Sequence, residues 1–225
     1  MALYVVSTPI GNPADFTVRA LETLRSADLV IGEELKALRQ ILKAAGVQAP
    51  AVDQLNEHSR PADIEHLARE CRDKNVALVS DCGTPGFCDP GADLVKACHQ
   101  NGIAVKTVPG PSSLMALLSI CGERVDQFTF FGFLPAKAEV RAQALKELRA
   151  EKRACVIMET PYRCDRLVDD LAEQFADRWC VLGLNLTQAN ERLVRGFGRE
   201  LKTMGPFADA EPVALVLPAS TAKVR

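Results

Sequence analysis

Residues 79–91 read Val-Ser-Asp-Cys-Gly-Thr-Pro-Gly-Phe-Cys-Asp-Pro-Gly, a run of turn formers and short polar side chains. It follows Asn75 to Val79, a short apolar run with strand character, and leads into Ala92 to His99, where Leu94, Val95 and Cys98 have helical spacing. Gly83, Gly86 and Gly91 allow the backbone to approach a ligand closely, Pro85 and Pro90 stiffen it, and Ser80, Asp81, Thr84 and Asp89 supply polar groups. Ligands of open α/β sheets bind at the carboxyl ends of strands, which is where this loop would lie. A tight strand-to-helix turn without a ligand is the plainer alternative.

Outward from this loop, strand-like and helix-like segments alternate. Leu3 to Ser7, Asp28 to Ile31 and Ile103 to Val108 read as strands. Thr17 to Ala27, Glu34 to Ala45, Pro61 to Lys74 and Ser112 to Ile120 read as helices. The alternation predicts an α/β fold with a mostly parallel sheet in an N-terminal domain over residues 1–120. Gly122 and the polar stretch after it mark a boundary, and residues 121–225 form a second α/β domain with a mixed sheet. Its expected strands are Phe128–Phe133, Ala154–Met158, Cys180–Leu184, Glu191–Gly196 and Pro212–Leu217. Lys137 to Ala150 is a helix with Val140, Ala144, Leu145 and Leu148 on one face, and a second helix follows Pro161.

At 225 residues, 48% hydrophobic and 25% charged, the chain has the composition of a globular protein. A net charge of −2 gives no global electrostatic case for nucleic acid or an anionic membrane. The start runs straight into strand-like sequence and no apolar run has the length of a membrane span, so a soluble, cytoplasmic protein with no membrane partner is expected. The eight cysteines form no C-x-x-C pair, and only Cys98 has a neighbouring histidine, His99, so no metal site is expected. Cys71, Cys98 and Cys155 fit core positions, whereas Cys82 and Cys88 lie in the Gly/Pro loop.

Further loops carry polar groups just after strands. Residues 8–13, Thr-Pro-Ile-Gly-Asn-Pro, lack both the G-x-G-x-x-G of a dinucleotide fold and the G-K-[ST] of a P-loop. Pro109 to Ser113 opens a helix, with Ser112 as cap or ligand contact. Met158 to Arg163 holds Glu159 and Arg163, which suit either a structural ion pair or a substrate contact. Glu33, Glu34 and Lys36 follow the second strand, where early carboxylates also favour a helix start.

S-T-P-I-G-N at 7–12, S-D-C-G-T-P-G-F-C-D-P-G at 80–91, P-G-P-S-S-L at 109–114, F-G-F-L-P at 131–135 and E-T-P-Y-R at 159–163 together resemble the tetrapyrrole methylase superfamily. Within it they are most similar to the ribosomal RNA small subunit methyltransferase I branch. The resemblance implies a homodimer of two-domain α/β chains that hold S-adenosyl-L-methionine in the cleft between domains. It also implies methyl transfer to a ribose 2′-hydroxyl of ribosomal RNA in the small ribosomal subunit. The cofactor contacts it implies are Pro9, Asp81, Cys82, Gly83, Ser112, Ser113, Met158, Leu186 and Ala214. Glu33 and Glu159 are candidates for the acceptor's proton, with Lys36 or Arg163 for orientation or charge.

The substrate-side motifs depart from that branch. Its A-E-D-T-R-H-T-R becomes Gly32-Glu33-Glu34-Leu35-Lys36-Ala37-Leu38-Arg39, the histidine of its E-S-P-H-R becomes Tyr162, and Leu184, Asn185 and Gln188 replace charged residues. Lost charge weakens the phosphate attraction on which RNA binding depends. A basic face of Lys137, Arg141, Lys146, Arg149, Lys152 and Arg153 would restore some of it. A methyltransferase for a tetrapyrrole or other small molecule, and a cofactor-binding relative without catalysis, are the alternatives.

Overall fold

The computed structural model describes residues 1–48 and 51–219. These residues divide into two compact units at Ser112/Ser113. In the first unit the order is β1 (Ala2–Val6), α1 (Val18–Ser26), β2 (Leu29–Gly32), α2 (Leu35–Ala44), β3 (Val52–Gln54), α3 (Pro61–Asp73), β4 (Asn75–Leu78), α4 (Ala92–Gln100) and β5 (Val105–Val108). The strands form one sheet in the order β3-β2-β4-β1-β5, and every pairing is parallel.

Parallel strands covered on both faces read as continuous apolar runs, and β2 is buried at all four positions. Successive side chains feed two separate cores. Leu3, Ile31, Val76 and Leu78 pack on one side with Leu67 and Cys71 of α3 and Leu94 and Cys98 of α4. Val6, Val30, Ala77 and Val79 pack on the other side with Ala20 and Leu24 of α1 and Leu38 and Leu42 of α2. The loops after β1 and β2 therefore leave toward one face, whereas the loop after β4 leaves toward the opposite face. Crevices open at the carboxyl edge on both sides of β4.

Local chemistry accounts for the boundaries. The Thr17 hydroxyl caps α1 by accepting from the Ala20 amide at 3.0 Å, Pro61 opens α3, and Gly46 follows α2 at φ +61°. Strand β3 carries no apolar signal in the sequence, because its three residues are only half-buried at the sheet edge.

The second unit contains α5 (Ser113–Ile120), β6 (Phe128–Phe133), α6 (Ala138–Ala150), β7 (Ala154–Met158), α7 (Cys164–Gln174), β8 (Trp179–Leu184), β9 (Arg192–Phe197) and β10 (Pro212–Val216). Its sheet order is β6-β7-β10-β8-β9, with β6 and β7 parallel and the remaining pairings antiparallel. The division precedes α5 instead of following it near residue 120, because α5 packs on β10 and the Leu117 side chain lies against Gly183 of β8. The core joins Leu145 and Leu148 of α6 and Leu167, Val168 and Leu171 of α7 to the sheet. On α6 the inward position is Arg141, not Val140, which is 52% exposed. No helix among the described residues is long and apolar enough to cross a membrane.

Candidate functional site

The loops after β1, β4 and β5 are laced together at the carboxyl edge of the parallel sheet. The Thr8 amide donates to the Gly83 carbonyl at 2.8 Å, and the Thr8 hydroxyl donates to the Ser80 carbonyl at 3.2 Å. The Ser7 and Thr84 hydroxyls share a hydrogen bond of 3.0 Å, and the Thr84 hydroxyl also reaches the Pro111 carbonyl at 3.4 Å. Gly83 is buried at φ +82°, where a Cβ would stand 3.4 Å from Ile10 Cγ2. Gly91 lies at φ +138° with a Cβ position 2.9 Å from Leu78 Cδ2. Both glycines are required by the turn itself.

Beside this floor, Glu33 and Asp89 line a pocket of about 350 Å³ that also includes Leu55, Asn56, Glu57 and Cys88. Burial, then the charges of Asp81 and Glu57, raises the Glu33 carboxyl above its ordinary value. Burial, then Glu34, raises Asp81, although the Glu34 amide bonds to it. Asp89 is pushed up to about 6 by burial first and the Glu33 charge second. Burial and, after it, like charge disfavour ionisation of these carboxyls, and a cationic group placed at this edge would relieve the repulsion between them.

The Asp89 shift predicts a pH dependence of stability. The folded carboxyl keeps its proton up to about 6, whereas an unfolded Asp loses it near ~3.9. The stabilising contribution is therefore complete below the unfolded value and lost as pH rises through the folded one. Asp89→Asn is expected to raise stability by about 1 kcal/mol near pH ~8, discounted for partial exposure, and to add nothing near pH ~3. Urea unfolding at the two pH values checks this; an equal gain at both would contradict it.

The other residues expected at a site are dispersed between the two units. Pro9 and Ser112 are half-buried and Cys82 is exposed, all on loops of the carboxyl edge. In the second unit, Ser113 starts α5 and Met158 ends β7. Leu186 is buried, with its side chain against Gly183. Ala214 lies in the middle of β10, paired with Ile157 and Leu182, and its methyl group belongs to the core. Asn185, at φ +53°, turns its side-chain oxygen to the Glu211 amide at 2.8 Å. Gln188 donates to the Glu211 carboxylate at 2.8 Å. Both replacements of charged residues thus have structural partners.

Glu33 and Glu159 belong to different units. The Glu159 side chain is fully buried and engaged on both oxygens. One accepts from Arg141 Nη1 at 2.7 Å; the other accepts from Arg163 Nη2 at 2.7 Å and from the Thr160 amide at 2.9 Å. Arg141, only 2% exposed in its side chain, also donates to Asp170 at 2.6 Å. The basic face expected on α6 is corrected accordingly: Arg141 is a buried counter-charge, and Arg153 is paired with Glu151 at 2.7 Å. Arg149 is bonded to the Gln174 carbonyl. Lys137, Lys146 and Lys152 are exposed. The Glu159–Arg163 pair is one of the two readings the sequence offers for these residues; the place of Arg141 in the network is not legible there although Arg141, Leu145 and Leu148 share helical spacing, because an arginine in an apolar register is ordinarily read as solvated.

Of the eight cysteines, Cys82 and Cys88 are exposed and the other six are buried. Among the described residues, no cluster of three or more His, Cys, Asp or Glu side chains has a metal-holding arrangement.

The family described as Tetrapyrrole (Corrin/Porphyrin) Methylases matches residues 2–202. The chain is 37% identical to ribosomal RNA small subunit methyltransferase I of Leptospira biflexa, covering 95% of this chain and 90% of that protein. It is 37% identical to the protein of the same name from Thermotoga maritima, covering 86% and 87% respectively. The solved structure of diphthine synthase shares the fold, with a TM-score of 0.75 and 17% identity over 97% of this chain and 90% of that one.

Proposed function

This chain belongs to the tetrapyrrole methylase family, and from that premise we propose an S-adenosylmethionine-dependent methyltransferase that modifies a ribose 2′-hydroxyl of small-subunit ribosomal RNA. The observation that carries the reading is the likeness to ribosomal RNA small subunit methyltransferases over nearly the whole chain. Neither a small-molecule acceptor nor a non-catalytic role is favoured by relatives of that name.

The carboxyl edge of the first unit suits such a cofactor. Bound there, S-adenosylmethionine supplies an electrophilic methyl group on a sulfonium. The cofactor carries positive charge and no phosphate, and the edge offers clustered carboxylates and close backbone, with no phosphate-loop motif. We assign Pro9, Asp81, Cys82, Gly83 and Ser112 to the cofactor within this unit. Glu33 is assigned the acceptor's proton: its raised pKa suits a group that must be ionised before transfer and protonated after it. Alignment of donor and hydroxyl in a water-poor site would supply most of the remaining acceleration.

The test is methyl transfer from radiolabelled cofactor to small ribosomal subunits taken from cells lacking this protein. Label at an alkali-resistant ribose position supports the reading, and absence of transfer to those subunits overturns it. Gly83→Val is expected to weaken cofactor binding by about tenfold to a hundredfold, because a branched residue at that backbone conformation is strained by about 1–3 kcal/mol. Calorimetry reads the affinity, and an unchanged value removes Gly83 from the cofactor site.

A further inference from the structure

The second unit carries two aromatic side chains whose exposure the core does not explain. Phe133 is 42% exposed and Tyr162 is 77% exposed. Phe133 ends β6, Tyr162 lies in a 3-10 turn directly after β7, and β6 and β7 are the sheet's parallel pair. Both rings therefore stand at the carboxyl end of adjacent parallel strands, the position at which open α/β sheets present ligand contacts.

Two devices hold them there. Pairing between β6 and β7 slips at Phe131, with Phe130 opposite Val156 and Gly132 opposite Ile157. Gly132 lies at φ +65°. Such a bulge re-aims the following side chain, here Phe133, while Phe131 packs against the core. The chain beyond Phe133 is then gripped by three guanidiniums: Arg163 donates to the Leu134 carbonyl at 3.5 Å, Arg141 to Pro135 at 3.4 Å and Arg166 to Ala136 at 3.0 Å. Glu159 joins Arg141 to Arg163 beneath them. The Arg163 guanidinium is also 5.5 Å from the Tyr162 ring centre. Burying charge around a short loop is costly, and the arrangement fixes the backbone that carries the two rings.

We propose that Phe133 and Tyr162 form a stacking platform for an unpaired base of the RNA substrate. Unstacked bases are recognised by aromatic faces and guanidinium planes, here the two rings with Arg163 beside Tyr162, and Lys137, exposed four positions after Phe133, offers a cation for a phosphodiester. The inference rests on the ribosomal RNA reading above and identifies a base-binding subsite for it. Arg141 and Glu159 act through the loop as positioning residues.

The test uses the full chain and Phe133→Ala, Tyr162→Ala and Tyr162→Phe variants. Three readouts are methyl transfer to small subunits, cofactor affinity by calorimetry, and fluorescence of 2-aminopurine in a short single-stranded RNA. Each alanine variant is expected to raise KM for subunits by about 5-fold to 150-fold, the range for loss of one stacked base. Each also loses 2-aminopurine quenching while cofactor affinity holds, and Tyr162→Phe recovers most of the Tyr162→Ala loss. Unchanged KM and quenching in both alanine variants overturns the platform and leaves the ribosomal RNA reading intact. Loss confined to cofactor affinity, or to self-association in sedimentation, also overturns it by assigning the rings to another occupant. A wild-type protein that transfers nothing to small subunits overturns both the ribosomal RNA reading and the platform.

Discussion

Glu159→Ala is expected to destabilise the second unit by about 3–5 kcal/mol, the usual cost of stranding a buried charge. The Glu159 side chain is fully buried and bridges Arg141 and Arg163, and without it Arg141 keeps only Asp170 and a long bond to the Pro135 carbonyl. The loss removes one ion-pair partner while leaving the other in the core, which is worse than replacing the pair by apolar groups. Urea unfolding measures the change. Arg163→Met in the same chain is expected to recover part of it: among the described residues Arg163 is ion-paired with Glu159 alone, whereas Arg141 keeps Asp170, so the guanidinium left without a carboxylate is then gone. A loss below about 1 kcal/mol in the single variant would show that the pair does not organise this unit.

Glu33→Gln is expected to do the opposite: preserve the fold and lower methyl transfer by about 10²-fold to 10⁴-fold, the contribution of a placed general base. Glu33 is only partly buried, and its raised pKa comes from burial together with Asp81 and Glu57. Removing one of these repelling charges leaves stability unchanged or slightly higher. In the parent protein, kcat should fall as pH drops through the raised Glu33 value, and this limb should disappear in the glutamine variant. Single-turnover transfer and calorimetry separate the chemical step from cofactor binding. An unchanged rate would move the proton-accepting role to another group.

Glu33 and Glu159 look alike in sequence: each follows a strand and precedes a helix-forming segment. Their surroundings differ in ways no local pattern carries. Glu33 faces a pocket among other acids, whereas Glu159, just after β7, is neutralised by Arg141, eighteen positions earlier on α6. Apolar spacing on α6 suggested Val140 inward and Arg141 in a solvated basic face. The opposite holds because a guanidinium with two carboxylate partners tolerates burial that an isolated one does not.

The slipped pairing at Phe131 is similarly invisible in strand periodicity. The sequence Phe-Phe-Gly-Phe shows an apolar strand with a glycine, and only pairing with β7 reveals which residue is extra. Strand β3 is illegible in the sequence for a related reason: three half-buried edge residues carry too little alternation.

By itself, the sequence determined the alternation of strands and helices, the parallel first sheet, and the Gly/Pro loop at 79–91 on its carboxyl edge, because apolar period and turn chemistry act over a few neighbouring residues. Its ordered motifs also determined the family. The tertiary structure alone decided which charges are paired, which repel and which rings remain exposed. These properties depend on distances between residues far apart in the chain and on how much water the packing leaves around them.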